Sequence, residues 1–201
     1  MCGRYGTRWG TTLTIRVDCN QAYSTHEAIR VIKAMERYDV ELVEQPTVWW
    51  DFKALATVAK AVDTPIMPHE SIYQISDVKA LIDLGAVGVL GLKMYRSGGG
   101  ITNARRLLDA AKLMGIPCLI HDDVELGVSL AAATHFIAAH YRDLKFKAEL
   151  SGCPEWIADD VVTASPKIEG GYAEVPEGYG LGVELDEDKI ERYSTGTIVC
   201  G

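Results

Sequence analysis

Residues 40–70, VELVEQPTVWWDFKALATVAKAVDTPIMPHE, contain two short apolar runs separated by an amphipathic stretch, and this pattern decides the fold. Val40–Glu44 and Pro65–Glu70 are mostly continuous apolar runs, as expected of parallel strands that are covered on both faces. Between them, Asp51 can cap a helix that continues through Val62. Because a strand, a helix and a second strand in this order form a βαβ unit, the stretch predicts a parallel sheet.

The same alternation continues on both sides of this stretch. Further strands are predicted at Leu13–Asp18, Val87–Lys93, Pro117–Asp122 and, more weakly, Lys145–Leu150. Further helices are predicted from the capping box of Ser24 and Glu27 to Tyr38, from a cap at Ser76 to Gly85, from Thr102 to Met114 and from Ser129 to Tyr141. The chain therefore belongs to the α/β class, with about six strand-and-helix units.

Composition excludes several classes of partner. The 201 residues carry a formal charge of −8, and the basic residues are scattered among acidic ones, so nucleic acid and anionic membrane surfaces are poor partners. No apolar run is long enough to span a bilayer. The five cysteines are far apart and odd in number, which favours reduced thiols in a cytoplasmic protein.

Charged residues end nearly every predicted strand, about one strand-and-helix unit apart. In chain order they are Asp18, Glu44, Glu70, Lys93, His121 with Asp122, and Glu149. The carboxyl ends of parallel strands lie at one edge, which carries the active site in a (β/α) barrel. Several carboxylates together imply a cation among them. The alternative for any single position is an ordinary loop residue exposed to solvent.

Several strings resemble those of a known family. They are Val17-Asp18-Cys19-Asn20-Gln21, Val43-Glu44-Gln45-Pro46, Pro65-Ile66-Met67-Pro68-His69-Glu70-Ser71, Leu92-Lys93-Met94-Tyr95-Arg96-Ser97-Gly98-Gly99 and Gly180-Leu181-Gly182-Val183-Glu184-Leu185-Asp186. In order and spacing they resemble the mandelate racemase and muconate lactonising branch of the enolase superfamily. The resemblance implies a (β/α) TIM-type barrel, here an incomplete one.

The resemblance also implies a reaction and a metal site. Enzymes of this family remove the proton beside a carboxylate, as racemases, cycloisomerases or dehydratases, while a divalent ion stabilises the developing charge. Asp18, Glu44 and Glu70 would hold Mg²⁺, with Mn²⁺ as a substitute, and Lys93 would be the acid or base. Many relatives have Asp-Glu-Ser at the position of His69-Glu70-Ser71, so His69 is the alternative third ligand.

Other residues near these positions have less specific roles. His121 is a second candidate for proton transfer, because the racemase branch has a histidine similarly placed. Asn20, His69, Asp122 and Glu125 are expected to bind substrate or to support the site. Lys93 has two alternatives, an ion pair with a neighbouring carboxylate or a Schiff base in a barrel aldolase that would bind phosphate at the glycine-rich loop. Borohydride trapping would distinguish the aldolase.

The chain departs from the family at its beginning. Residues 1–12 resemble no family segment, 13–193 form the partial barrel, and 194–201 form a tail. We expect the capping domain, two barrel strands and a second catalytic base to be absent. Six strands would leave open edges, which predicts a homo-oligomer. A non-catalytic truncated remnant is the third hypothesis for the function.

Overall fold

Parallel strands and helices alternate in the computed structural model, which describes residues 13–96, 99–121, 124–152 and 157–196. The strands are β1 (Ile15–Asp18), β2 (Val40–Glu44), β3 (Ile66–Met67), β4 (Leu90–Leu92), β5 (Cys118–Ile120), β6 (Ile168–Glu169) and β7 (Tyr172–Ala173). The helices are α1 (Thr25–Met35), α2 (Phe52–Ala61), α3 (Ile75–Leu84), α4 (Gly100–Leu113), α5 (Gly127–His140) and α6 (Glu187–Tyr193). The predicted α/β class is confirmed.

Local side-chain contacts explain where the first helices begin. Ser24 Oγ accepts from Glu27 N, and Ser24 N donates to Glu27 Oε2 at 3.1 Å, which is the predicted capping box of α1. Asp51 Oδ1 accepts from the backbone of α2 at 2.9 Å, also as predicted. The prediction for Ser76 was wrong. It lies inside α3, because Asp77 Oδ2 accepts the backbone N–H of Gln74 at 2.8 Å and starts the helix earlier.

The strands are neighbours in the order in which they occur along the chain. β1, β2 and β3 pair in parallel, with Asp18 opposite Glu44, and β4 pairs in parallel with β5. Backbone bonds from Gly88 and Val89 to Ile66 O, at 2.8 and 3.2 Å, join the two sheets. The carboxyl ends of β1 to β5 therefore lie along one edge.

Among the predicted strands, Pro65–Glu70 and Lys145–Leu150 differ most from the structure. The run Pro65–Glu70 forms a strand only at Ile66–Met67, because the chain turns after Pro68. Lys145–Leu150 is not a strand and makes one isolated parallel bridge, between Glu149 and His121. Charged and polar residues alternate with apolar ones there, and Arg16 of β1 donates to Lys147 O at 2.8 Å instead.

Alternation along the strands gives the sheet two apolar faces. The face toward the helices holds the larger core, which includes Val43, Ile66, Leu90 and Ile120. The opposite face holds a small cluster whose members are Leu42, Met67, Val89 and Leu119, with Phe146 packed against it. Residues two positions further along these strands point to the same side, one layer nearer the carboxyl edge. This layer contains the candidate site.

The C-terminal part packs as a separate arrangement of short elements. β6 and β7 form an antiparallel hairpin, and Val162 bridges Leu185. Asp160 accepts from the backbone of Gly127, which attaches this part to the start of α5. None of the helices in the described residues is long and apolar enough to cross a membrane.

Candidate active site

Three buried side chains meet above the small apolar cluster. Glu44 ends β2, and His69 and His121 lie two residues beyond Met67 and Leu119. The Oε1 atom of Glu44 is 2.7 Å from His69 Nδ1 and 2.9 Å from His121 Nε2. The exposed fractions of Glu44, His69 and His121 are 3%, 5% and 6%. The predicted strand-end residues Glu44 and His121 are thus in direct contact.

A second carboxylate holds the other side of His121. Its Nδ1 atom is 2.9 Å from Glu149 Oε2, and Arg16 Nη1 donates to Glu149 Oε1 at 2.7 Å. Burial alone would raise the pKa of Glu149, but these contacts with His121 and Arg16 lower it to about 2. Glu149 is therefore ionised at neutral pH and fixes the orientation of the His121 ring.

The other two predicted ligands lie beside Glu44. Asp18 ends β1 and accepts hydrogen bonds from Asn20, at 2.9 Å from its backbone and 2.6 Å from its side chain. Burial raises the pKa of Asp18, the bonds from Asn20 lower it, and the charges of Glu44 and Glu70 raise it further, with a net increase. The three carboxylates are therefore close enough to repel one another.

Glu70 takes part in a different set of contacts. It accepts from Gln21 Nε2 at 3.2 Å, and its Oε2 atom is 3.4 Å from His69 Nδ1. Burial raises the pKa of Glu70, but the neighbouring His69, its own backbone and Gln21 lower it overall. For His69, burial lowers the pKa, and the nearby carboxylates of Glu44 and Glu70 raise it above the ordinary value.

Lys93 follows β4 directly and is buried, with 1% of its surface exposed. Its Nζ atom lies 5.7 Å from the centre of the Tyr95 ring, and its charge opposes protonation of His69. The structure thus brings Lys93 to the same edge as Glu44 and His69.

The remaining predicted residues lie in different surroundings. Glu125 is buried before α5 and accepts a hydrogen bond from Ser129. Asp18 and Asn20 line a cavity of about 1210 Å³, together with Glu149 and residues of the hairpin. Asp122, Ser97 and Gly98 lie outside the described residues.

Gln45 is a supporting residue that the sequence did not indicate. Its Oε1 atom accepts the backbone N–H groups of His69 and Ser71 at 2.8 and 3.2 Å. Its Nε2 atom donates to Thr47 O and Ser71 Oγ, each at 2.9 Å. This fully buried amide fixes the turn that aims His69 at Glu44. Its place in the Val43–Pro46 string was the only available signal.

The donor atoms at this edge fit a divalent cation. Glu44 and Glu70 raise the pKa of Asp18, so a positive charge among the three carboxylates would relieve their repulsion. Carboxylate oxygens are the ligands that Mg²⁺ prefers. Which ion binds here, and whether Asp18, Glu44 and Glu70 hold it, stay predictions from the sequence.

The fold and this edge together define the class of protein. It is a parallel α/β protein with carboxylates, imidazoles and a buried lysine at the carboxyl ends of successive strands. The model of the family described as enolase C-terminal domain-like matches residues 7–189, and the chain belongs to that family. The predicted membership of the mandelate racemase and muconate lactonising branch is confirmed.

Two similar proteins are named as an epimerase and a cycloisomerase. The chain is 32% identical over 177 residues to L-Ala-D/L-Glu epimerase of Clostridium acetobutylicum, and 30% identical over 180 residues to muconate cycloisomerase 1 of Rhodococcus opacus. These matches cover 87% and 90% of this chain and 48% of each relative. The chain therefore spans about half the length of the curated relatives it matches.

Solved structures show the same fold. A mandelate racemase/muconate lactonizing family protein from Azoarcus sp. EbN1 aligns with a TM-score of 0.82 and 31% identity, over 98% of this chain and 54% of that chain. A substrate-liganded L-Ala-D/L-Glu epimerase from Bacillus subtilis aligns with a TM-score of 0.80 and 28% identity, over 92% and 51%.

Proposed function

We propose that this chain carries the metal-binding and proton-transferring part of an isomerase or lyase that acts on a small carboxylate. The observation that carries the proposal is the burial of Lys93 directly after β4, at the edge where Glu44 ends β2. The names of the relatives, an epimerase and a cycloisomerase, support this reaction class. The proposal also includes the fold: this chain would form part of a (β/α) TIM-type barrel.

The ligands in this proposal are Asp18, Glu44 and Glu70, with Mg²⁺ as the ion and Mn²⁺ as its substitute. When bound, the ion supplies Lewis-acid stabilisation of negative charge on the substrate carboxylate. Asn20 holds the Asp18 carboxylate in place through its two hydrogen bonds. Gln45 fixes the turn that carries His69 and Glu70.

Lys93 is the proton carrier in this proposal. Its Nζ atom would take the proton from the carbon beside the substrate carboxylate and return it to the same face. The second candidate, His121, is already in contact with Glu44 and Glu149, which favours Lys93. The proposal keeps Asp122 and Glu125 as residues that bind substrate or support the site.

Hydrogen–deuterium exchange tests this proposal without requiring complete turnover. We expect the α-proton of a bound acid sugar or N-acyl amino acid to exchange with D₂O in the presence of Mg²⁺, with retained configuration. The replacement Lys93→Ala should lower the exchange rate by about 10²–10⁴-fold, the usual contribution of a general base. Proton NMR over a substrate panel measures it.

Lys60→Ala is the matched control, since Lys60 is an exposed lysine of α2 and should leave the rate unchanged. Exchange that persists in Lys93→Ala would assign proton transfer to His121. Absence of exchange from every substrate, with Mg²⁺ demonstrably bound, would favour a non-catalytic protein.

A further inference from the structure

Two imidazoles flank the Glu44 carboxylate, and together they offer a donor set different from the three carboxylates. We propose that Glu44, His69 and His121 bind a first-row transition-metal ion such as Zn²⁺ or Co²⁺ in preference to Mg²⁺. One ligand atom from each of the three residues lies within 4.8 Å of the other two, and all three residues are buried. The inference rests on the proposed function, because Glu44 belongs to both donor sets.

The orientation of His121 is that of a metal-binding histidine. Its Nδ1 atom faces the Glu149 carboxylate at 2.9 Å, and its Nε2 atom is the ring nitrogen on the side of Glu44, 2.9 Å from Oε1. A carboxylate that fixes the second ring nitrogen in this way is the usual outer partner of a metal-binding histidine.

His69 contributes the second nitrogen. Its Nδ1 atom is 2.7 Å from Glu44 Oε1, the same carboxylate oxygen that lies 2.9 Å from His121 Nε2. Its Nε2 atom is 3.4 Å from Arg96 Nη1. Binding of an ion through Nδ1 would require the ring proton to be on Nε2, the nitrogen that faces Arg96.

The chemistry of the donors decides which ion is preferred. Imidazole nitrogen suits Zn²⁺, Co²⁺ and Ni²⁺, whereas Mg²⁺ takes oxygen ligands and keeps much of its water. Two nitrogens beside one carboxylate therefore select a transition-metal ion. In this arrangement His121 is a ligand and Lys93 remains the proton carrier.

Calorimetric titration of the full chain, prepared without a histidine tag, tests the preference. Zn²⁺ should bind about 100-fold or more tightly than Mg²⁺. The variants His69→Asn and His121→Asn should each lose about tenfold or more in Zn²⁺ affinity and keep Mg²⁺ affinity within about threefold. His26→Asn, at an exposed position of α1, is the control and should match the wild type.

X-ray absorption at the zinc edge of the wild-type protein is independent of whether the variants fold. Scattering from two imidazoles supports the inference, and a shell of oxygen alone overturns it. Equal Zn²⁺ affinity in the wild type and both histidine variants would also overturn it.

The carboxylate variants separate this inference from the proposed function. One outcome is that replacing Asp18 or Glu70 abolishes Mg²⁺ binding while X-ray absorption shows no imidazole bound to zinc. In that case the inference fails and the proposed function stands. If the wild type binds neither ion, both fail.

Discussion

At the scale of single residues, Glu44 is the group shared by the proposed ion and the two imidazoles. Its Oε1 atom lies within 3 Å of a nitrogen of each neighbouring histidine, at a depth where a carboxylate without nearby positive charge would be costly. Replacing this carboxylate by an amide keeps the shape of the side chain and removes its charge. The substitution therefore tests charge at nearly constant packing.

We expect Glu44→Gln to weaken Mg²⁺ binding roughly tenfold or more, because ligand charge sets the affinity of such sites. Calorimetric titration measures the change. Asp83→Asn is the control, since Asp83 is an exposed carboxylate of α3 that pairs with Lys79. Equal Mg²⁺ affinity in Glu44→Gln and the wild type would remove Glu44 from the predicted metal site.

Cys118 of β5 gives a prediction that depends on pH. Burial raises the pKa of its thiol to about 12, from an ordinary value of 9.0. Because the folded protein keeps a proton that the unfolded chain loses, the stability contributed by this thiol is present below pH 9 and declines as the pH rises toward 12. Iodoacetamide should label Cys118 about a thousandfold more slowly in the folded protein at pH 8 than in urea.

Mass spectrometry of the peptide that contains Cys118 measures this rate, and the urea-unfolded chain is the control. Labelling of the folded protein at the unfolded rate would show that the thiol is not buried as described.

Spacing along the sequence could identify the residues that end the strands, but it could not show how their side chains meet. Glu44 and His121 share the strand-end signal, and they are in contact. His69 faces the same side because it lies two residues after Met67, and this alternation was visible in the sequence. The role of Gln45 depends on a turn held by four hydrogen bonds, which no local pattern predicts.

At the scale of elements, strong local signals predicted α1 and α2 and weak ones failed. The capping box at Ser24 and the cap at Asp51 act within four residues, so the sequence contains all that they need. The segment Lys145–Leu150 lacks such a signal, and its single bridge depends on contacts with β5 that are distant in sequence. The hairpin of β6 and β7 was missed for the same reason, since each strand has two residues.

The junction between β3 and β4 depends on one glycine. A Cβ atom at Gly88 would lie 2.9 Å from Ile66 N and 3.0 Å from Pro65 Cα, which are backbone atoms that cannot rotate away. We expect Gly88→Ala to lower the free energy of unfolding by about 1–3 kcal/mol, as other overpacked substitutions do. Urea denaturation measures the difference.

Gly196→Ala is the control, because a Cβ atom there meets nothing within 4 Å, and its effect should stay within about 0.5 kcal/mol. Equal stability of Gly88→Ala and the wild type would mean that β3 and β4 are not held this closely.

At the scale of the whole molecule, the Arg16 side chain connects β1, the first strand, with the segment Lys145–Leu150 that follows α5. Within the described part of the chain, β1 pairs with β2 alone, and Arg16 reaches the segment that holds Glu149. The link is an ion pair between side chains and does not pair the backbone. The outer edge of β1 therefore has no neighbouring strand among the described residues. Open edges of this kind are satisfied by water or by another chain.

We therefore predict that the 201-residue chain forms a homo-oligomer. Val17 on β1 is only half-buried, and the exposed Leu13 precedes the strand, so a second copy could cover apolar surface as well as backbone. Sedimentation velocity over a range of protein concentrations should show a dimer or larger species that dissociates on dilution. The same measurement with added Mg²⁺ separates assembly from ion binding. A monomer that unfolds cooperatively at all concentrations would show that the edge of β1 is satisfied within one chain, because an isolated open edge favours association.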